Sequence, residues 1–198
     1  MPRQVLTTSQ RQRLFAIVIP QGSGKSTVAT ELMKYKHRNG TSHIFIDLDD
    51  FAAKKIKNIE DIVADVVHRE VNLFPTLFAE IIKILDSYPS SVVGVLTANP
   101  NFVNFMQIKP KRTFMYVPTR DFAKQLYSSL NPSEEELAEI EASREKVIAA
   151  YSKAFSMYDS MSALVALITA AFDLILSDSS APSPTSRNAK VEEERKSK

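Results

Sequence analysis

The sequence contains no cysteine. That excludes a disulfide framework, a thiolate nucleophile and any cysteine-ligated metal, and it fits an expected cytoplasmic, intracellular setting. Long hydrophobic runs are lacking too. The most apolar stretch, Met161 to Leu176, is short for a bilayer and carries Asp173, so it reads as a buried helix and no membrane association is expected. The N-terminal stretch has no long apolar core followed by a small-residue cleavage site, so no signal peptide is expected. Neither sign of charge dominates. The formal net charge is +2, which neither demands nor excludes nucleic acid. Glycine is scarce, with four in 198 residues, and Gly22 and Gly24 share one loop. A chain that otherwise avoids glycine spends it there because the backbone must take dihedrals that other residues resist.

What is present is an ordinary globular composition, 44% hydrophobic and 24% charged, in a chain long enough for one α/β domain with a sizeable core. Residues 1–12 are polar and basic and read as a flexible start, residues 13–176 as the domain. From Ser177 to Lys198 the chain is Ser/Pro-rich and charged, which reads as a disordered tail that could dock a protein partner or be inert. Continuous apolar runs mark buried strands at Leu14–Ile19, His43–Leu48, Val92–Thr97 and Thr113–Val117, with a short fifth near Ala154–Tyr158. Helical patterns alternate with them, at Ser26–His37, Ile59–Glu70, Leu77–Leu85 (entered through Pro75), Arg120–Leu130 and Ser133 to about Tyr151. The alternation predicts a three-layer α/β fold: a mostly parallel sheet of about five strands, helices on both faces and right-handed crossovers.

Between the first strand and the first helix lies Gly22-Ser23-Gly24-Lys25-Ser26-Thr27. With the residues before it, this approximates the Walker A phosphate loop G-x-x-x-x-G-K-[ST], Ile19 standing at the first glycine position. Backbone N–H groups from Gly22 to Lys25 would form a concavity for anionic oxygens, and the helix behind adds its positive end. Lys25 supplies a mobile cation for the β- and γ-phosphates, and the Ser26 hydroxyl a ligand for Mg²⁺. The candidate ATP- or NTP-binding residues are Gln21, Gly22, Ser23, Gly24, Lys25, Ser26 and Thr27. A chance glycine turn is the competing reading, and the flanking strand and helix weigh against it. A β-branched Ile19 resists positive φ, so either the loop enters in an extended conformation there or the cradle is distorted.

Asp47 and Asp49 alternate by two at the end of the second strand, where open α/β sheets bind ligands. One can hold Mg²⁺ through water, for which Asp47 is the candidate; the other, Asp49, can orient or deprotonate a substrate hydroxyl. Both could instead cap the next helix, the reading preferred for Asp50.

With G-S-G-K-S-T and I-D-L-D-D-F in place, the chain resembles the P-loop kinases of the shikimate-kinase, adenylate-kinase and polynucleotide-kinase group over roughly residues 13–176. Ser143-Arg144, then Tyr151 and Ala154, resemble the group's lid-to-C-terminus layout. The resemblance implies Mg·ATP, phosphoryl transfer to a hydroxyl or phosphate, and a basic lid, for which Arg120, Lys124 and Arg144 are candidates. Salt bridges on a helix face are the other reading of Lys124 and Arg144. Pro75 stands where shikimate kinases carry an arginine, which speaks against shikimate itself; Arg69 could replace that anion ligand. The third strand ends in no D-x-x-G or Walker B aspartate, which argues against a GTPase switch or a helicase motor.

Weaker signals remain. Lys54, Lys55 and Lys57, with Lys109, Lys111 and Arg112, could track a polynucleotide backbone, but solvated lysines are the plainer reading and no stacking aromatics interleave with them. His37, His43 and His68 lack metal-ligand spacing and are expected at the surface. Two functions are expected on these grounds. The first is a Mg-dependent kinase acting on a nucleotide, a small hydroxylated metabolite or a polynucleotide 5′ end. The second is a nucleotide-binding module or slow NTPase working with RNA or a protein partner.

Overall fold

A computed structural model describes residues 5–35, 41–55, 59–150 and 155–180. His37, Lys57, Tyr151, Ala154 and residues 181–198 lie outside the described residues, as do the side chains of Lys55, His68 and Arg69.

The elements run α1 (Thr8–Arg13), β1 (Leu14–Val18), α2 (Lys25–Met33), β2 (His43–Asp47), α3 (Leu48–Lys55), α4 (Ile59–Ser87), β3 (Val92–Thr97), α5 (Pro100–Met106), a 3₁₀ turn (Pro110–Arg112), β4 (Thr113–Pro118), α6 (Arg120–Leu130), α7 (Glu134–Ala150), β5 (Ser156–Tyr158) and α8 (Met161–Ser180). The five strands form one all-parallel sheet in the order β2-β3-β1-β4-β5. This is the expected α/β architecture.

The unbroken apolar run of β1 reflects burial on both faces. Phe15, Ile17 and Ile19 pack toward α2 and α8, with Leu32, Leu164, Ile168 and Phe172. Leu14 faces α4 and α5 among Leu77, Ile81, Leu85, Phe102 and Met106, and Ala16 and Val18 meet Val103 of α5 and Val147 of α7. Phe15 lies edge-on to Phe45 and Phe114, at ring-centroid distances of 6.0 and 6.3 Å, contacts worth about 0.5–1.5 kcal/mol each beyond burial. The apolar stretch from Met161 is a core helix, with Leu164, Ile168, Phe172 and Ile175 buried along one side. Among the described residues no helix is long and apolar enough to cross a membrane.

Three elements differ from the pattern expected. Ile59–Ser87 is a single helix with Pro75 inside it, rather than two segments with Pro75 at the second start. Pro75 is exposed, and its ring removes one N–H from the helical ladder. Thr8–Arg13 is a helix within the polar start, closed by a capping box between Thr7 and Gln10. Gln10 Nε2 donates to Asp86 at 2.7 Å, and Arg13 donates to the carbonyls of Leu85, Tyr88 and Ser91 at the end of α4. Finally, α8 continues past Ser177 to Ser180.

Candidate functional site

The loop between β1 and α2 is shaped first by where it cannot bend. Ile19 is fully buried and its N–H donates to the Thr97 carbonyl at 3.0 Å, continuing the pairing of β1 with β3. Of the two alternatives for Ile19, the extended entry is the one observed; the non-glycine residues with positive φ among those described are Gln107 and Asn131. The chain turns after Pro20, whose carbonyl accepts from Ser23 N–H at 3.3 Å. Gly22 and Gly24 then take φ of +69° and +86°, a region where a Cβ costs about 1–2 kcal/mol. Space adds a second demand: a Cβ on Gly24 would stand 2.8 Å from Met161 Sδ, and one on Gly22 3.1 Å from Ile140 Cδ1.

Tyr158, at the end of β5, holds the loop from beneath. Its hydroxyl donates to the Ser23 carbonyl at 2.7 Å, and the residue is 2% exposed. Burial pushes its pKa well above the ordinary phenol value, so it remains a donor. Tyr127 of α6 lies nearby, and burial raises its pKa. From above, α7 covers the loop. Ser143 Oγ accepts from Gln21 N–H at 3.1 Å, and Ile140 seats on Gly22.

Lys25 opens α2 and is 6% exposed, its Nζ 3.1 Å from Asp49 Oδ2. Asp49 is 60% exposed. The carboxylate end of the pair stands open to water, so a phosphate can replace it as the partner of the buried lysine. Ser26 Oγ donates to Asp47 Oδ2 at 2.8 Å, and Asp49 N–H donates to Asp47 Oδ1 at 3.1 Å. Asp47 therefore both faces the loop and caps the turn into α3. Asp50 stands apart, in the first turn of α3, paired with Lys54 at 2.7 Å. Thr27 is exposed in the first turn of α2. Mg²⁺ takes hard oxygen donors and usually only one or two carboxylates, with phosphates supplying the rest. The Ser26–Asp47 pair fits that demand; among the described residues no cluster of three or more His, Asp or Glu could hold a metal alone.

The three basic lid candidates share a separate cavity of about 280 Å³ between α6 and α7, where Arg120, Lys124 and Arg144 meet Tyr127, Glu141 and Glu145. Arg144 bonds Glu145 at 3.3 Å, while its Nε and the Tyr127 hydroxyl, both buried, make no hydrogen bond. Two of the candidate backbone-tracking residues are engaged within the protein. Arg112 is buried and donates to the Gln12 carbonyl at 2.7 Å, and Lys54 is paired with Asp50. His43 is half-buried rather than at the surface. Its Nε2 is 3.1 Å from the Leu32 carbonyl, and its ring lies among Tyr35, Phe45 and Phe172. Sequence reasoning took Tyr158 for a core residue and missed its bond to the loop, and it missed the seating of Ile140 and Ser143.

A parallel sheet whose central strand runs through G-S-G-K-S-T into a helix, with D-x-D at the end of β2, is a three-layer α/β P-loop fold. No family model and no curated protein matches the chain. Among solved structures it is similar to a sugar kinase from Janibacter sp. HTCC2649, at 15% identity over 81% of this chain and 94% of that one, with a TM-score of 0.47. It is similar also to an uncharacterized protein from Eubacterium ventriosum ATCC 27560, at 13% identity over 82% of this chain and 98% of that one, TM-score 0.44. A third likeness is to shikimate kinase from Bacteroides thetaiotaomicron, at 16% identity over 75% of this chain and 86% of that one, TM-score 0.44. At these values no residue role passes from them to this chain.

Proposed function

We propose that the chain is a kinase that binds ATP or another nucleoside triphosphate on the Gly22–Thr27 loop and transfers its γ-phosphoryl group to an acceptor hydroxyl. The observation that carries this reading is the pair of contacts at the start of α2: Lys25 with Asp49, and Ser26 with Asp47. A cation for the phosphates, an oxygen pair for the metal and an exposed carboxylate then meet where the start of α2 faces the end of β2.

In this reading, backbone N–H groups of the loop and the N-terminus of α2 bind the β- and γ-phosphates. Lys25 leaves Asp49 for the γ-phosphate. Ser26 Oγ, and Asp47 through water, would hold Mg²⁺, which would supply charge neutralisation on the same phosphates. Asp49, released and exposed, accepts the proton of the acceptor hydroxyl. Arg120 and Arg144, which line the cavity between α6 and α7, are the candidates to stabilise transferring charge.

A nucleotide-binding module or slow NTPase, working with RNA or a protein partner, is the second reading. The contact favouring it is Gln21 N–H bonded to Ser143 Oγ, which gives the loop's first donor to the protein itself. ATP consumption with Mg²⁺, alone and against nucleosides, nucleotides, sugars and 5′-hydroxyl oligonucleotides, separates the two. Stimulation by an acceptor is expected; acceptor-independent hydrolysis, or binding without turnover, decides for the module. Asp49→Asn should keep ATP binding and slow transfer by about 10²–10⁴-fold, the usual contribution of a general base. Full activity in that variant would remove Asp49 from the mechanism.

A further inference from the structure

Helix α7 separates two cavities of different character. Arg144 on one side of it faces the basic cavity with Arg120 and Lys124. On the other side Glu139, Ser143 and Lys146, at the three- and four-residue spacing of one helix face, line a larger cavity of about 580 Å³ together with Gln21, Asp49 and Asn99. Two carboxylates, two carboxamides, a hydroxyl and one ammonium thus face this space. The Asn99 Oδ1 accepts from Asn101 N–H at 3.0 Å, which leaves the amide NH₂ to donate.

The two cavities suit different charges. When Lys25 turns to a triphosphate, Asp49 loses its counter-charge, and Asp49 and Glu139 then face the larger cavity together. A ligand bringing a further phosphate or carboxylate would meet both acids and the triphosphate against the one ammonium of Lys146. A ligand bringing hydroxyl groups would donate to the carboxylates and accept from the carboxamides. The cavity's size suits a small molecule. We propose that this cavity is the acceptor site and that its acceptor is a neutral polyhydroxylated small molecule, a sugar or polyol without phosphate or carboxylate. The inference rests on the kinase reading above. Asp49 takes the proton of one acceptor hydroxyl, and that oxygen forms a bond to the γ-phosphorus. The bond from the γ-phosphorus to the β–γ bridging oxygen breaks, and its electron pair leaves on the nucleoside diphosphate.

The test uses the full chain with Mg·ATP carrying a labelled γ-phosphate. Acceptors are sugars and polyols, each set beside its own phosphate ester and its carboxylic acid, and the label transferred to each is measured. Expected is a kcat/KM for the neutral member about 10-fold or more above its anionic partners, with Glu139→Lys lowering that ratio by about 10-fold, as like-charge juxtaposition implies. Preferred transfer to the anionic members, or a ratio indifferent to Glu139→Lys, overturns the inference and leaves the kinase standing. ATP bound or hydrolysed with transfer to neither class overturns the kinase reading, and the inference with it.

Discussion

The phosphate loop has a floor and a cover, and the two are built differently. Beneath it, Ile19 bonds Thr97, Tyr158 bonds Ser23 and Met161 packs on Gly24, all from β3, β5 and α8. Those contacts are extensions of the core. Above it lies α7, in which Ile140 and Val147 are buried and most other positions face water. The cover touches the loop through Ile140 and Ser143. Stability in a fold is unevenly spread, and elements with few buried contacts open most readily. The loop's shape is thus a property of the sheet, while its cover is a lightly held helix.

The sharpest way to break that picture is Lys25→Ala. Loss of a charge-assisted contact to phosphate should weaken ATP binding by about 100-fold, read by titration calorimetry, with the far-UV circular dichroism unchanged. Unchanged affinity would mean that the floor presents no phosphate site at all. Next comes Tyr158→Phe. The Ser23 carbonyl would lose its donor while buried, and urea denaturation should register a loss of about 1–3 kcal/mol. A loss under about 0.5 kcal/mol would put the floor on a level with an ordinary surface.

The smallest effect belongs to the cover. Glu136 accepts from Ser133 N–H at 2.7 Å and from Ser133 Oγ at 3.0 Å at the start of α7, and Ser133 Oγ in turn accepts from Glu136 N–H. The backbone bond first, then the hydroxyl bond, holds its carboxyl below the ordinary 4.5. Its help to the helix is therefore fully present above that ordinary value and is lost as pH falls through the lowered one. The Ser133 amide resonance should move with that titration in the wild type and stay still in Glu136→Gln. A wild-type resonance that ignores pH would dissolve the cap.

Much of this was legible because it is local. The run Leu14–Ile19 followed by glycines, and the acids closing the next buried run, announce the strand, loop and strand end that bring Lys25, Ser26, Asp47 and Asp49 together. What stayed hidden is non-local. Tyr158 and Ser23 are 135 positions apart, and Ser143 and Gln21 are 122 apart. Hydropathy marks Tyr158 as buried but cannot say where its hydroxyl ends. Pro75 misled for a different reason: proline favours the first turn of a helix, but here it stands inside α4 at an exposed position. Helix α1 owes its place to Gln10 and Arg13 reaching α4, which no pattern within Thr8–Arg13 reveals.

That clasp bears on how the chain is handled at the bench. A shortened version starting at Leu14 would keep every strand and the whole loop. It would also strip the guanidinium from the carbonyls of Leu85, Tyr88 and Ser91, and the amide from Asp86. The polar opening of the chain is thus a fastening for the foot of the central strand, and trimming it as a dispensable leader would loosen the layer on which that strand rests.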